Sequence, residues 1–218
     1  MKCVKKQLEP TTFIEWKAQE NEEWQPSYAT LQNPEKRSLH EALLTEQGHV
    51  CCYCGRAISL ASSHIEHFQP QELREDLALE YENLHTSCIR EVAPGAPLHC
   101  GHAKGSELTE NLIISPMDAD CEGRFLYSSQ DGAIYPTDKE DVSATYMIRL
   151  LKLDVSFLQV RRAEALKNVF DNDFVESATD EELTQLARAY RALDGTGQMA
   201  SFGHVLSRFA EQLLGQRI

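Results

Sequence analysis

Apolar residues recur at helical spacing at both ends of the chain and lose that period in the middle. Thr12 followed by Glu15 has the spacing of a capping box, opening a helix with Phe13 and Trp16 on one side and Trp24 beyond it. Asn33-Pro34 predicts a second start, with Asn as cap and Pro at the first helical position. Leu39, Leu43 and Leu44 form its apolar stripe, and Gly48 is its stop. From 49 to 105 only short strand-like pieces remain: Val50–Tyr53, Ile58–Leu60 and His64–Phe68. Ile113-Ile114 suggests another, and Phe125–Tyr127 and Ala133–Tyr135 read as a hairpin around the Ser129–Gly132 turn. Segments 139–152, 155–171, 179–193 and 200–214 return to helical spacing, the third with Thr179 and Glu182 as a capping box. The expected organisation is α+β, with helical residues 1–48, a small mixed module over 49–136 and a helical region over 137–218.

Composition narrows what such a module can do. With 21 Lys and Arg against 34 Asp and Glu, the net charge is −13. Residues 1–48, 49–105 and 106–218 carry −2, −3 and −8, so no segment is basic. Free nucleic acid is repelled by most of such a surface. A role on DNA therefore needs a local cationic path or a partner that supplies one. Nowhere do eighteen apolar residues run together, and no apolar stretch follows the basic start; neither a membrane span nor a secretory leader is expected, and the cytoplasm is the expected location. Seven cysteines without an export signal argue against a disulfide framework. Five of those cysteines fall between 51 and 100, and six of the eight histidines between 49 and 102, which points to metal.

Cys51 and Cys54 stand three apart ahead of Gly55, the spacing that lets two thiolates reach one tetrahedral zinc. Cys88 and Cys100 are the best candidates to close the site, with His99 and His102 in reserve. A redox reading of the first pair needs a βαβ frame, which the pattern lacks. Cys52, Cys3 and Cys121 read as structural, and His49 as a helix-end residue.

Between the cysteine pairs lie Ser63-His64-Ile65-Glu66-His67-Phe68-Gln69-Pro70 and Tyr81-Glu82-Asn83-Leu84-His85-Thr86-Ser87-Cys88, followed by His99-Cys100-Gly101-His102-Ala103-Lys104-Gly105. This combination resembles the HNH endonucleases. Glu46-Gln47-Gly48, Ser115–Cys121, Asp131-Gly132, Leu150–Asp154 and Arg161-Arg162 extend the resemblance, from about residue 40 to 170, to the HNH nuclease subunits of Septu-type anti-phage systems, also found as effectors of some retrons. The resemblance implies a ββα-metal core with zinc-knuckle cysteines, a catalytic divalent cation such as Mg²⁺, and an ABC-type ATPase partner. It also implies that His67 is the general base, that Asn83 steadies the loop carrying it, and that Glu66 holds the cation. The second ligand of the family follows the last cysteine; Gly101 occupies that place here, which shifts the role to His102.

Strand alternation puts Glu66 and His67 on opposite faces, so one can hold a cation while the other faces water. His64 shares the Glu66 face, as a further ligand, a phosphate contact or a packing imidazole. His85 and Lys104 are phosphate contacts or, respectively, a structural imidazole and a solvated turn lysine. A non-catalytic zinc-stabilised adaptor is the alternative to the nuclease. It explains the cysteines but gives no reason for Glu66-His67, Pro70 and Asn83 between them.

Overall fold

The computed structural model describes residues 1–89 and 91–215. The N-terminal segment forms α1 (Thr11–Lys17) and α2 (Glu35–Glu46). Neither starts as the sequence predicts. Pro10 is the N-cap of α1, its carbonyl accepting from Phe13 and Ile14 N–H, while the Thr12 hydroxyl pairs with Ser38 at 2.8 Å. A tertiary contact has taken the hydroxyl that a local cap would need. In α2 the N-cap is Pro34 rather than Asn33, and no side chain caps the helix. Its end follows expectation: Gly48 turns left-handed at φ 64°, and the His49 and Gly48 amides bond back to the Leu44 and Thr45 carbonyls.

The middle of the chain folds around an antiparallel hairpin of β1 (Ser63–His67) and β2 (Leu84–Cys88), in the register Glu66 opposite His85. The short helix α3 (Gly101–Lys104) follows. The first predicted strand survives only as a bridge between Val50 and Ala57, because Cys51–Gly55 closes a tight turn, and Ile58–Leu60 and Ile113-Ile114 form no strand. β3 (Phe125–Tyr127) and β4 (Ile134–Pro136) form a second hairpin. The C-terminal helices are α4 (Val142–Leu150), α5 (Ser156–Lys167), α6 (Asn172–Ser177), α7 (Asp180–Ala189) and α8 (Gly203–Gly215). Asp171 caps α6, a short helix in the gap between the 155–171 and 179–193 segments where the periodicity predicts none, and the capping box at Thr179 and Glu182 is present.

Two apolar clusters hold these parts together. Phe13, Trp16, Leu39 and Leu43 from the N-terminal helices pack with Ile65, Tyr81 and Leu84, so α1 and α2 cover one face of the β1–β2 hairpin. The larger cluster runs from Val4 through the buried cysteines and Phe125 to Leu158 and Leu206, joining all three segments of the chain. Arg162 is buried within it and donates to the Gly132 and Leu153 carbonyls at 2.8 Å each, tying α5 to the second hairpin. The architecture is mixed α and β with small sheets. No helix among the described residues is long and apolar enough to cross a membrane.

Candidate metal and active site

The Cys51 and Cys54 thiols come from the tight turn, Cys88 from the end of β2 and Cys100 from the residue before α3; all four sulfurs lie within 4.8 Å of one another. The turn is closed by the Gly55 amide on the Cys51 carbonyl and the Cys51 amide on the Arg56 carbonyl. A Cβ at Gly55 would run into the His204 ring, so a side chain there would displace α8 from the knuckle. Cys54–Cys88 and Cys88–Cys100 sulfur separations are 3.5 and 3.7 Å. Ligands about 2.3 Å from a tetrahedral zinc stand about 3.8 Å apart, so this donor set fits zinc. Burial would raise the Cys51 pKa, but hydrogen bonds from Cys100, Cys52, Cys54 and Cys88 bring it well below the ordinary thiol value. His99 stands beside the cluster, its Nδ1 3.2 Å from the Cys100 sulfur, and burial lowers its pKa to about 4. Cys52 and Cys121 are buried outside the four, and Cys3 is half-buried.

The hairpin beside this cluster carries the remaining candidates. One face of β1 presents His64 and Glu66, opposite Ser87 and His85; the other presents His67, whose neighbour across the strands is Leu84. Glu66 is buried at 6% exposure, with Oε1 taking hydrogen bonds from Tyr53 Oη and the Lys104 ammonium at 3.0 Å each. Its Oε2 faces His64 Nε2 at 3.2 Å. Burial would raise the Glu66 pKa; the His64 hydrogen bond and the Lys104 charge hold it below its ordinary value instead. Burial would lower the His64 pKa; the Glu66 hydrogen bond and charge, with the Ile89 carbonyl, raise it instead.

His67 Nε2 is 3.0 Å from the Ala78 carbonyl, which can only accept, so Nε2 carries the hydrogen and Nδ1 is the lone pair, 3.3 Å from the Gln71 amide. Burial lowers its pKa, which keeps the ring neutral near pH 7. Tyr28 packs edge-on against the ring at 4.4 Å. Asn83 organises the loop that supplies this carbonyl: Oδ1 accepts from the Gln69 amide at 2.7 Å, and Nδ2 donates to the Gln69 and Leu77 carbonyls. Glu66 and His67 line one cleft of about 390 Å³ together with Pro70, Gln71 and Lys104.

His102 does not face Glu66 through Nε2, which is 2.8 Å from the Ile89 carbonyl; its ring lies 4.7 Å from that of His64. Lys104 is 3% exposed and also donates to the His67 and Phe68 carbonyls, so it is no solvated turn residue. His85 is fully buried, with its pKa pushed down to about 3, first by burial and then by the Lys6 and Lys104 charges. Tyr53, Tyr28 and Gln71 are the contacts that motif reasoning missed. Tyr53 could have been suspected from its place inside the knuckle, but Tyr28 and Gln71 carry no sequence signal. A second groove of about 660 Å³ runs between α2 and β1, lined by Tyr28, Lys36, Arg37, His40 and His64.

No family model matches the chain. Over 141 residues the chain is 29% identical to a Vibrio cholerae serotype O1 biovar El Tor protein named "Retron Vc95 putative HNH endonuclease". That match covers 62% of this chain and 66% of the relative, just under two thirds of the relative's length.

Proposed function

We propose that this chain is a metal-dependent HNH-type endonuclease that hydrolyses phosphodiester bonds of nucleic acid, DNA in the first place. One observation carries the reading: a neutral imidazole and a buried carboxylate reach the same cleft from opposite faces of one strand. The name of the similar Vibrio protein supports the same chemistry.

In this reading His67 Nδ1 accepts the proton of the attacking water, and the Nε2 hydrogen bond to Ala78 steadies the ring as it becomes an imidazolium. Asn83 acts through the loop that holds Ala78 in place. Glu66 Oε2 holds a divalent cation such as Mg²⁺ with an imidazole from the His64–His102 pair. When bound, that cation neutralises the scissile phosphate and assists the leaving oxygen. The four cysteines hold a structural zinc. The burial of His85 and Lys104 favours structural roles for both over phosphate contacts.

We further propose that the chain works as the effector subunit of an anti-phage complex with an ABC-type ATPase. The net charge of −13 leaves little surface that tracks a phosphate backbone, and the resemblance to Septu-type subunits supplies the partner class. The test is plasmid nicking by the chain co-purified with such an ATPase, in Mg²⁺. Wild type nicks, and His67→Ala lowers the rate by about 100-fold or more with zinc content and fold unchanged. Undiminished cleavage by His67→Ala removes that residue from the mechanism. A complex that assembles but never nicks supports the adaptor instead.

A further inference from the structure

Glu66 offers a cation only one oxygen, because Tyr53 and Lys104 occupy Oε1. The neighbour of the other oxygen is His64 Nε2 at 3.2 Å. His64 Nδ1 stands 2.6 Å from the Ile89 carbonyl and keeps its hydrogen there, so a cation would replace only the hydrogen that Nε2 shares with Glu66 Oε2 and would meet the lone pair left behind. A backbone carbonyl on one ring nitrogen is the usual device for aiming the other at a metal. Two ligand atoms side by side on an octahedral ion with bonds of about 2.1 Å are about 3.0 Å apart. The Glu66–His64 separation is close to that.

Gly101 lets both of these side chains come up against the backbone. A Cβ there would run into Glu66 Oε2 and come within 2.9 Å of His64 Nε2. Gly101 is not held in a left-handed conformation, and its amide donates to Ser87 Oγ at 3.1 Å. The backbone therefore does not demand glycine at this place; the space does. The side chain of His64 is 25% exposed and opens on the groove beside α2, which gives water access. His102, by contrast, directs Nε2 to the same Ile89 carbonyl that holds His64.

We propose that His64 and Glu66 are the protein's two ligands to the divalent cation, that the missing side chain at Gly101 lets both take up their positions, and that His102 is a positioning residue that does not ligate. This assignment rests on the nuclease reading above and says which imidazole that reading uses. The full-length chain with zinc in its cysteine site, titrated with Mn²⁺ and followed by pulsed electron paramagnetic resonance, tests it. Wild type should bind Mn²⁺ with a nitrogen coupling that His64→Ala abolishes and His102→Ala retains. Gly101→Ala keeps both ligands but fills their space, and should weaken Mn²⁺ binding by about tenfold or more with zinc content unchanged. A coupling that survives in His64→Ala, vanishes in His102→Ala or is absent from wild type overturns the His64 assignment and leaves the nuclease reading standing. Unchanged binding by Gly101→Ala overturns it in the same way, even where His64→Ala fails to fold. Wild type that binds no Mn²⁺ overturns both.

Discussion

At the scale of single residues, what each polar group can do is set by which neighbours remove its alternatives. Lys104 would sit in water on an isolated turn; here it is buried against Glu66 and two carbonyls, and so orients the carboxylate. Cys51 illustrates the same dependence. A site that needs four converging sulfurs couples folding to metal, so Cys51→Ser should lose the zinc and lower the melting temperature, as read by metal analysis and thermal unfolding. Zinc retained at wild-type stoichiometry would count against the four-thiol site. His204 carries a pH prediction. Burial, with the nearby Lys2 and Arg162 charges, holds its pKa well below the ordinary histidine value, and its Nε2 meets Tyr127 Oη at 3.4 Å. The unfolded chain thus binds a proton that the folded chain refuses. That contribution is intact above about pH 6.5 and is lost as pH falls below it, at up to about 1.4 kcal/mol per pH unit. His204→Gln should flatten the fall in stability between pH 7 and 5, measured by urea unfolding at each pH; an unaltered slope would rule the histidine out as its source.

Elements are joined here by a few buried polar ties as much as by apolar contact. The Arg162 guanidinium on α5 reaches two carbonyls, and Gly132 lets the second hairpin come close: its φ is 71°, and a Cβ there would run into the Gln159 carbonyl. Arg162→Met keeps much of the apolar stem but leaves both carbonyls without their charged donor. At about 1.5–3 kcal/mol for each hydrogen bond to a charged group, it should cost about 3 kcal/mol or more in chemical denaturation; a loss under about 1 kcal/mol would mean that water replaces the guanidinium. The β1–β2 hairpin shows how an element serves function. Its N-terminal helices bury one face, its cysteine end joins the thiol cluster, and the alternation of β1 sends His67 to one side and Glu66 to the other.

Over the whole molecule the acidic balance sharpens the meaning of the groove between α2 and β1. Lys36 and Arg37 lie there beside His64, Lys36 over the Tyr28 ring at 4.6 Å and Arg37 paired with the exposed Glu41 at 2.9 Å. On the nuclease reading, these are the cations that a phosphate backbone would meet beside His64 in a chain of net charge −13. Lys36→Ala combined with Arg37→Ala should weaken nucleic-acid binding and reduce its salt dependence by about two counterions, with melting temperature unchanged. Fluorescence anisotropy against salt reads this directly, and an unchanged salt slope would place the phosphate contacts elsewhere.

The amino-acid sequence alone determined the metal-rich stretch, the zinc-type spacing of Cys51 and Cys54, the alternation of Glu66 and His67, and the C-terminal helices with the Thr179 capping box. These are properties of spacing, and spacing acts through the local geometry of a turn, a strand or a helix. It failed at Thr12 and Asn33, where a hydroxyl went to Ser38 and a proline became the cap. Only the tertiary structure decided which thiols converge, that Lys104 is buried, that Ala78 selects the His67 tautomer, and that the side chain missing at Gly101 leaves room beside His64. Each of those depends on atoms far apart along the chain meeting at fixed distances, which no local pattern encodes.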